Sequence, residues 1–195
     1  MTWLSLFLLA SIAFTPPQGS SLLASNATPT SAADSMERKL DWLSENGARE
    51  HPDDRTTELT EAEVNDYLAQ RRVKLPAGVR SVKMTAVPGT IMANAIVDFD
   101  QITAQRNTNP LLEIFHGIHQ IDVDAEAYGF NRIGRVHVQW VKVDGVQVPE
   151  TILNLFVKRF VTAKYPNIGI DSEFQLPAKI DQATVRDHKV ALHQE

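Results

Sequence analysis

Cysteine is missing from all 195 residues. That absence excludes disulfides, thiolate metal ligands, thiol nucleophiles and a lipidated N-terminal cysteine. Clustered positive charge is missing too. The 19 Lys and Arg against 24 Asp and Glu leave a net charge of −5, and the basic residues stand singly or in pairs, as in Arg71-Arg72 and Lys158-Arg159. Nucleic acid is therefore not the expected partner, because phosphate binding needs grouped cations and single strands need interleaved aromatics. There is no Gly-x-Ser-x-Gly turn for a nucleophilic serine, and Gly134, Gly145 and Gly169 are too isolated to form a phosphate loop. These gaps argue against an enzyme. No apolar run reaches the ~20 residues of a membrane-spanning helix.

The longest such run, Trp3 to Phe14, has 12 residues and is broken by Pro16, Pro17 and Gly19. Its length suits the core of a signal peptide, roughly 7–15 residues. Ser25-Asn26-Ala27 then offers small residues at a cleavage position, although no Lys or Arg precedes the run. The expected organisation is a signal peptide over 1–27, a linker with a short peripheral helix over 28–57, and one α+β domain over 58–195. An exported protein, periplasmic or extracellular, follows from it. With 43% hydrophobic residues the chain can bury a real core.

Two stretches share an order: amphipathic helix, Leu-Pro-Ala, alternating strand. The anchors are Leu75-Pro76-Ala77 with Val79, and Leu176-Pro177-Ala178 with Ile180, 101 positions apart. The first helix opens on the capping box Thr60-Glu61-Ala62-Glu63 and carries Val64, Tyr67 and Leu68 on one face. In the hairpin after it, Val82, Met84 and Ala86 lead to a turn at Pro88-Gly89, and Ile91, Ala93, Ala95, Val97 and Phe99 return. A longer strand pair is expected over 118–128 and 132–144, turning at 129–131. Past Trp140 the apolar phase slips from Val136 and Val138 to Val141 and Val143, which calls for a β-bulge. The helix opening at Pro149 carries Ile152, Leu153, Phe156, Val157, Phe160 and Val161 on one stripe. A strand at 170–175 and a last, polar hairpin around Asp187-His188 close the chain. Upstream, 34–46 reads as a helix with Met36, Leu40 and Leu43, and 48–57 as a charged loop. Together these predict an antiparallel sheet strongly curved around one or two amphipathic helices, in two repeated helix–hairpin units.

Polar clusters carry little chemistry. His116 and His119 would meet one metal if both sat on a helix, but Gly117 ends any helix there and no third ligand is identifiable. Strand-edge histidines are the expectation, with no metal and no cofactor. Asp122, Asp124 and Glu126 alternate along a strand and spread over roughly 13 Å, too far apart to converge on one ion. A solvated outer face is the plainer reading, and a carboxylate hydrolase built on Asp122 and Asp124 ranks last. The apolar residues are the stronger signal. Leu111, Ile114, Phe115, Trp140, Leu153, Phe156, Val157 and Phe160 come from short helices and one bent strand. They are the candidate lining of an elongated apolar space suited to acyl chains.

The order of elements resembles small bacterial extracytoplasmic proteins related to the tubular lipid-binding superfamily. The residues that carry it run from Leu59 to Asn65 with Tyr67-Leu68, then Leu75-Pro76-Ala77-Gly78-Val79, Gly145 to Pro149, and Leu176-Pro177-Ala178. The resemblance spans about residues 58–193. It implies a long helix wrapped by a strongly curved sheet, a hydrophobic groove for lipid, and no catalytic residues. The missing lipidation cysteine departs from the lipoprotein members. The expected function is non-catalytic binding of a lipid or other apolar small molecule in the cell envelope, with transient membrane contact. The alternative is a structural or protein-interaction module with a fully packed core.

Overall fold

The computed structural model describes residues 31–102, 116–162 and 166–195. The expected signal peptide, and Leu111, Ile114 and Phe115, lie outside the described residues. Within them the protein is α+β, with nine strands in one antiparallel sheet and three α-helices.

The centre of the sheet is the hairpin of β4 (Ile118–Phe130) and β5 (Ile133–Val143). Asn131 and Arg132 turn it, with φ of 52° and 63°, the left-handed pair that matches strand twist in a two-residue hairpin. The turn falls later than the 129–131 expected because Gly129 is needed inside the strand. A Cβ on it would meet Leu176 at 2.7 Å and Ala183 at 3.0 Å. On one side β4 pairs with β3 (Thr90–Asp98) along Ile118–Glu126, and with β8 (Ile180–Arg186) only at Tyr128 and Gly129. On the other side β5 pairs with β6 (Val146–Gln147) and β7 (Asp171–Gln175). Beyond β3 lies β2 (Val79–Val87), and beyond β8 lie β9 (Lys189–Gln194) and β1 (Arg55–Thr60). The sheet is open, neither closed into a barrel nor strongly curled.

One face of the sheet is apolar and the other polar, as alternation requires of a half-buried antiparallel sheet. Ile121, Val123, Ala125 and Ala127 of β4 point inward. The bulge expected in β5 is present: Ala125 pairs with Val138 but Asp124 with Trp140, leaving Gln139 extra. Val136 and Val138 before it, and Val141 and Val143 after it, therefore share the inner face. Trp140 does not; it packs on the outer face with the Lys142 ammonium 4.6 Å from its ring centre.

Helix α1 (Ala32–Ala48) packs into the core rather than at the periphery. Met36, Leu40 and Leu43 bury against Leu59, Leu176, Ile180 and Leu192. The loop expected at 48–57 ends early, since Arg55–Thr60 is strand β1 paired with β9. Its charged start hid the inward pair Thr57 and Leu59. The last hairpin is likewise less polar than expected, with Ala183, Val185, Ala191 and Leu192 buried. Helix α2 (Glu61–Ala69) has the capping box: the Thr60 hydroxyl accepts from the Glu63 amide, and Glu63 accepts from the Thr60 amide. It also closes the free edge of β2. Asn65 donates to the Met84 carbonyl at 2.8 Å and accepts from the Met84 amide at 2.7 Å, while Glu61 accepts from the Ala86 amide at 3.2 Å. An unpaired edge would otherwise template association.

Each Leu-Pro-Ala anchor closes a four-residue turn, but the backbones differ: only Gly78 has a positive φ in the first, whereas Ala178 and Lys179 both do in the second. The Pro76 carbonyl accepts from the Val79 amide at 3.1 Å, and that of Pro177 from the Ile180 amide at 3.0 Å. Each turn leads into a strand with a register shift at its start, between Val79 and Ser81 and between Ile180 and Gln182. Helix α3 (Glu150–Phe156) runs on into a π-helical turn at Val157–Thr162 and covers the far end of the inner face.

Candidate functional site

Helices α1 and α2 cover one end of the inner face and α3 the other. Between them the floor is shallow. Ala95, Ala125 and Ala127 stand on the middle strands, where Leu or Ile would fill the gap. A hollow of about 170 Å³ results. That is comparable to the ~150 Å³ cavity size that admits benzene and stays dry, and smaller than the ~300–1,000 Å³ of sites for drug-sized ligands.

Its lining draws on α2, α3 and the inner face of β2 to β5. Leu68, Leu75 and Pro76 come from α2 and the turn after it, Val79, Val82 and Met84 from β2, and Ile91, Ala95 and Val97 from β3. Phe99, Ile121, Val123, Ala125, Ala127, Val136, Val138 and Val141 continue it, and Leu153, Phe156, Val157, Val161, Gly169 and Ile170 form the opposite side. Among the described residues that line it, none has a charged or hydrogen-bonding side chain. Val79, Val82, Val123, Val138, Val157 and Ile170 face inward yet are only half-buried.

Three of the sequence candidates meet there: Leu153, Phe156 and Val157. Phe160 packs against Phe156, with ring centres 5.1 Å apart and the Arg159 guanidinium over it, and does not line the hollow. The helical stripe fails at that point because the π-helical turn changes the angle per residue. Trp140 lies on the other face of the sheet. The strand valines that do line the hollow were visible as inward positions. Alternation reports direction, not whether anything sits on top.

The polar clusters separate from the hollow and from each other. His119 Nδ1 is 2.6 Å from Asp144 Oδ2, and His116 Nδ1 is 3.6 Å from Asp100. The two imidazoles thus face different carboxylates, and no group of three or more His, Asp or Glu able to hold a metal exists among the described residues. The Asp144 hydrogen bond and the His116 carbonyl hold His119 above the usual histidine range, against partial burial. On the outer face Asp122 accepts from Asn94 at 2.5 Å. Asp124 is less solvated than expected: burial and neighbouring Glu126 push its carboxyl up, and its Oδ1 is enclosed without a hydrogen-bond partner.

No family model, curated protein or solved structure matches this chain. No helix among the described residues is long and apolar enough to cross a membrane.

Proposed function

We propose that the protein binds, without chemistry, the hydrocarbon part of a lipid or another apolar molecule in the hollow between α2, α3 and the sheet. The observation that carries this reading is the lining: about 170 Å³ of space lined, among the described residues, by apolar side chains over half-buried valines. Among the described residues that surface has no side-chain group with which to orient or activate a substrate. It rewards burial alone, about 0.8 kcal/mol per methylene. A segment of about six carbons gains roughly 5 kcal/mol, near the lower estimates for the cost of association. Binding is therefore weak unless the rest of the ligand adds contacts, which suits a molecule picked up and released.

Export to the cell envelope belongs to the same proposal, supported by the apolar run Trp3 to Phe14. So does a relationship to the tubular lipid-binding proteins and their repeated helix–hairpin units. The register shift that follows each Leu-Pro-Ala turn supports that relationship.

Ala125→Leu tests the site. Its added carbons enter the hollow, so N-phenyl-1-naphthylamine binding should fall at least about tenfold while stability holds or rises by ~0.5–2 kcal/mol. A drop in stability of ~1–3 kcal/mol, the usual result of overpacking, with probe binding unchanged, overturns the reading. Native mass spectrometry of the purified protein should show bound lipid in the wild type and less in the variant.

A further inference from the structure

Behind one wall of the hollow, His119 joins three chain segments. Its Nδ1 meets the Asp144 carboxylate on the turn after β5 at 2.6 Å, and its Nε2 meets the carbonyl oxygen of His116. Both partners are acceptors. A neutral imidazole has one N–H and serves only one of them, whereas the imidazolium donates to both. The segment held this way is tied to the hollow. The Gly117 carbonyl accepts from the Phe99 amide at 2.8 Å, and Asp100 accepts from the Gly117 amide at 3.1 Å. The Phe99 ring lies 6.1 Å from that of His119 and edge-on to Phe156 at 5.6 Å. Phe99 and Phe156 both line the hollow.

We propose that His119 is a proton-operated clamp on the Phe99 wall: as the imidazolium it pins residues 116–117 to the turn after β5, and on losing its proton it releases one of the two bonds and loosens the wall. The clamp regulates the site proposed above and rests on that reading. The groups facing His119 are Asp144 from the turn after β5, Asp100 from the short turn after β3, and His116, whose ring is itself beside Asp100. Both carboxylates favour the charged ring. Asp144 is held below the usual carboxylate range by His119 and by the Gln120 amide, so it stays ionised while His119 titrates. The clamp is closed in mild acid and opens as pH rises through the raised histidine value.

The test uses N-phenyl-1-naphthylamine, an apolar probe that stays uncharged, on the full chain at pH 6 and pH 8.5. Probe dissociation should be about fivefold faster at the higher pH, a modest coupling. His119→Gln should show the fast rate at both, and His137→Gln, which removes a contact to Asp171 on the outer face, should keep the wild-type difference. Equal wild-type rates at the two pH values, or a pH dependence that survives His119→Gln, overturn the clamp. If the probe binds at neither pH, the ligand reading fails instead, and hydrogen exchange at the Phe99 amide then decides the clamp alone. Protection there that falls as His119 deprotonates supports it; protection indifferent to that titration overturns it.

Discussion

Glu63 keeps its charge with only 7% of the residue exposed, and the reason is the number of donors around it. Lys39 reaches it at 2.7 Å, the Ser35 hydroxyl at 2.5 Å, and the Thr60 amide and hydroxyl at 2.8 and 3.0 Å. Burial pushes its carboxyl up, but these donors win and hold it at about 2. A carboxyl depressed in the folded state stabilises above its unfolded value and loses that contribution as pH falls through the folded one. Unfolding free energy should therefore drop by up to about 3 kcal/mol between pH ~4.5 and ~2. Glu63→Gln should remove much of that slope and destabilise by ~1–3 kcal/mol at neutral pH, both read from denaturant titrations. Half of this arrangement was legible: Thr60 and Glu63 stand three apart in a capping box. Lys39 and Ser35 were not, because nothing local links residue 35 or 39 to residue 63. Asn46 and Gln194 are a similar case. Both are fully enclosed; Asn46 donates to Gln194, which itself donates to the Leu43 and Ala178 carbonyls, and no pattern in the chain announces the pair.

At the scale of elements, the central hairpin depends on two glycines placed directly opposite each other, Gly129 and Gly134. They make a notch on the inner face where β7 and the second Leu-Pro-Ala turn approach. A Cβ on Gly134 would lie 2.6 Å from the Phe174 ring and 3.0 Å from Leu176. Gly134→Ala should destabilise by ~1–3 kcal/mol through overpacking, seen as a lower midpoint with an unchanged denaturant slope. In the sequence Gly129 looks like turn punctuation, while Gly134 falls within the expected strand. Their role is contact with residues some 40 to 50 positions away, so local reading assigned Gly129 to a loop. The strands were otherwise readable wherever alternation ran uninterrupted, as in β2, β3 and β4. β1 was not, because Asp53, Asp54 and Arg55 lead into only two inward residues. The bulge in β5 was visible as a phase slip, yet which residue it turned outward depended on the pairing. That pairing sent Trp140 to the polar face.

For the whole molecule, the ion pairs set a pH profile with two limbs. Asp34, Glu58, Glu61, Glu63, Asp98 and Asp144 are all held below the usual carboxylate range. The stability they add is present above their unfolded values and lost in acid. His119 and His188 are held above theirs, His188 through its hydrogen bond to Glu61. Their contribution is complete below the unfolded histidine value and lost as pH rises through the folded one. The melting temperature should therefore peak between about pH 4.5 and 6.5, and a His119→Gln, His188→Gln double variant should flatten the decline on the alkaline side. A profile that keeps rising from pH 6 to 8 would contradict the sign for both histidines.

By itself the sequence determined the class of the fold, the long hairpin, the capped second helix and the inward faces, because periodicity, caps and turn residues act within a few positions of one another. Tertiary structure alone decided whether those faces would close. Among the described residues, small side chains on the middle strands and helices docked at both ends leave the space between them unfilled. Empty volume is a property of elements brought together, and no residue carries it in its own neighbourhood of the chain.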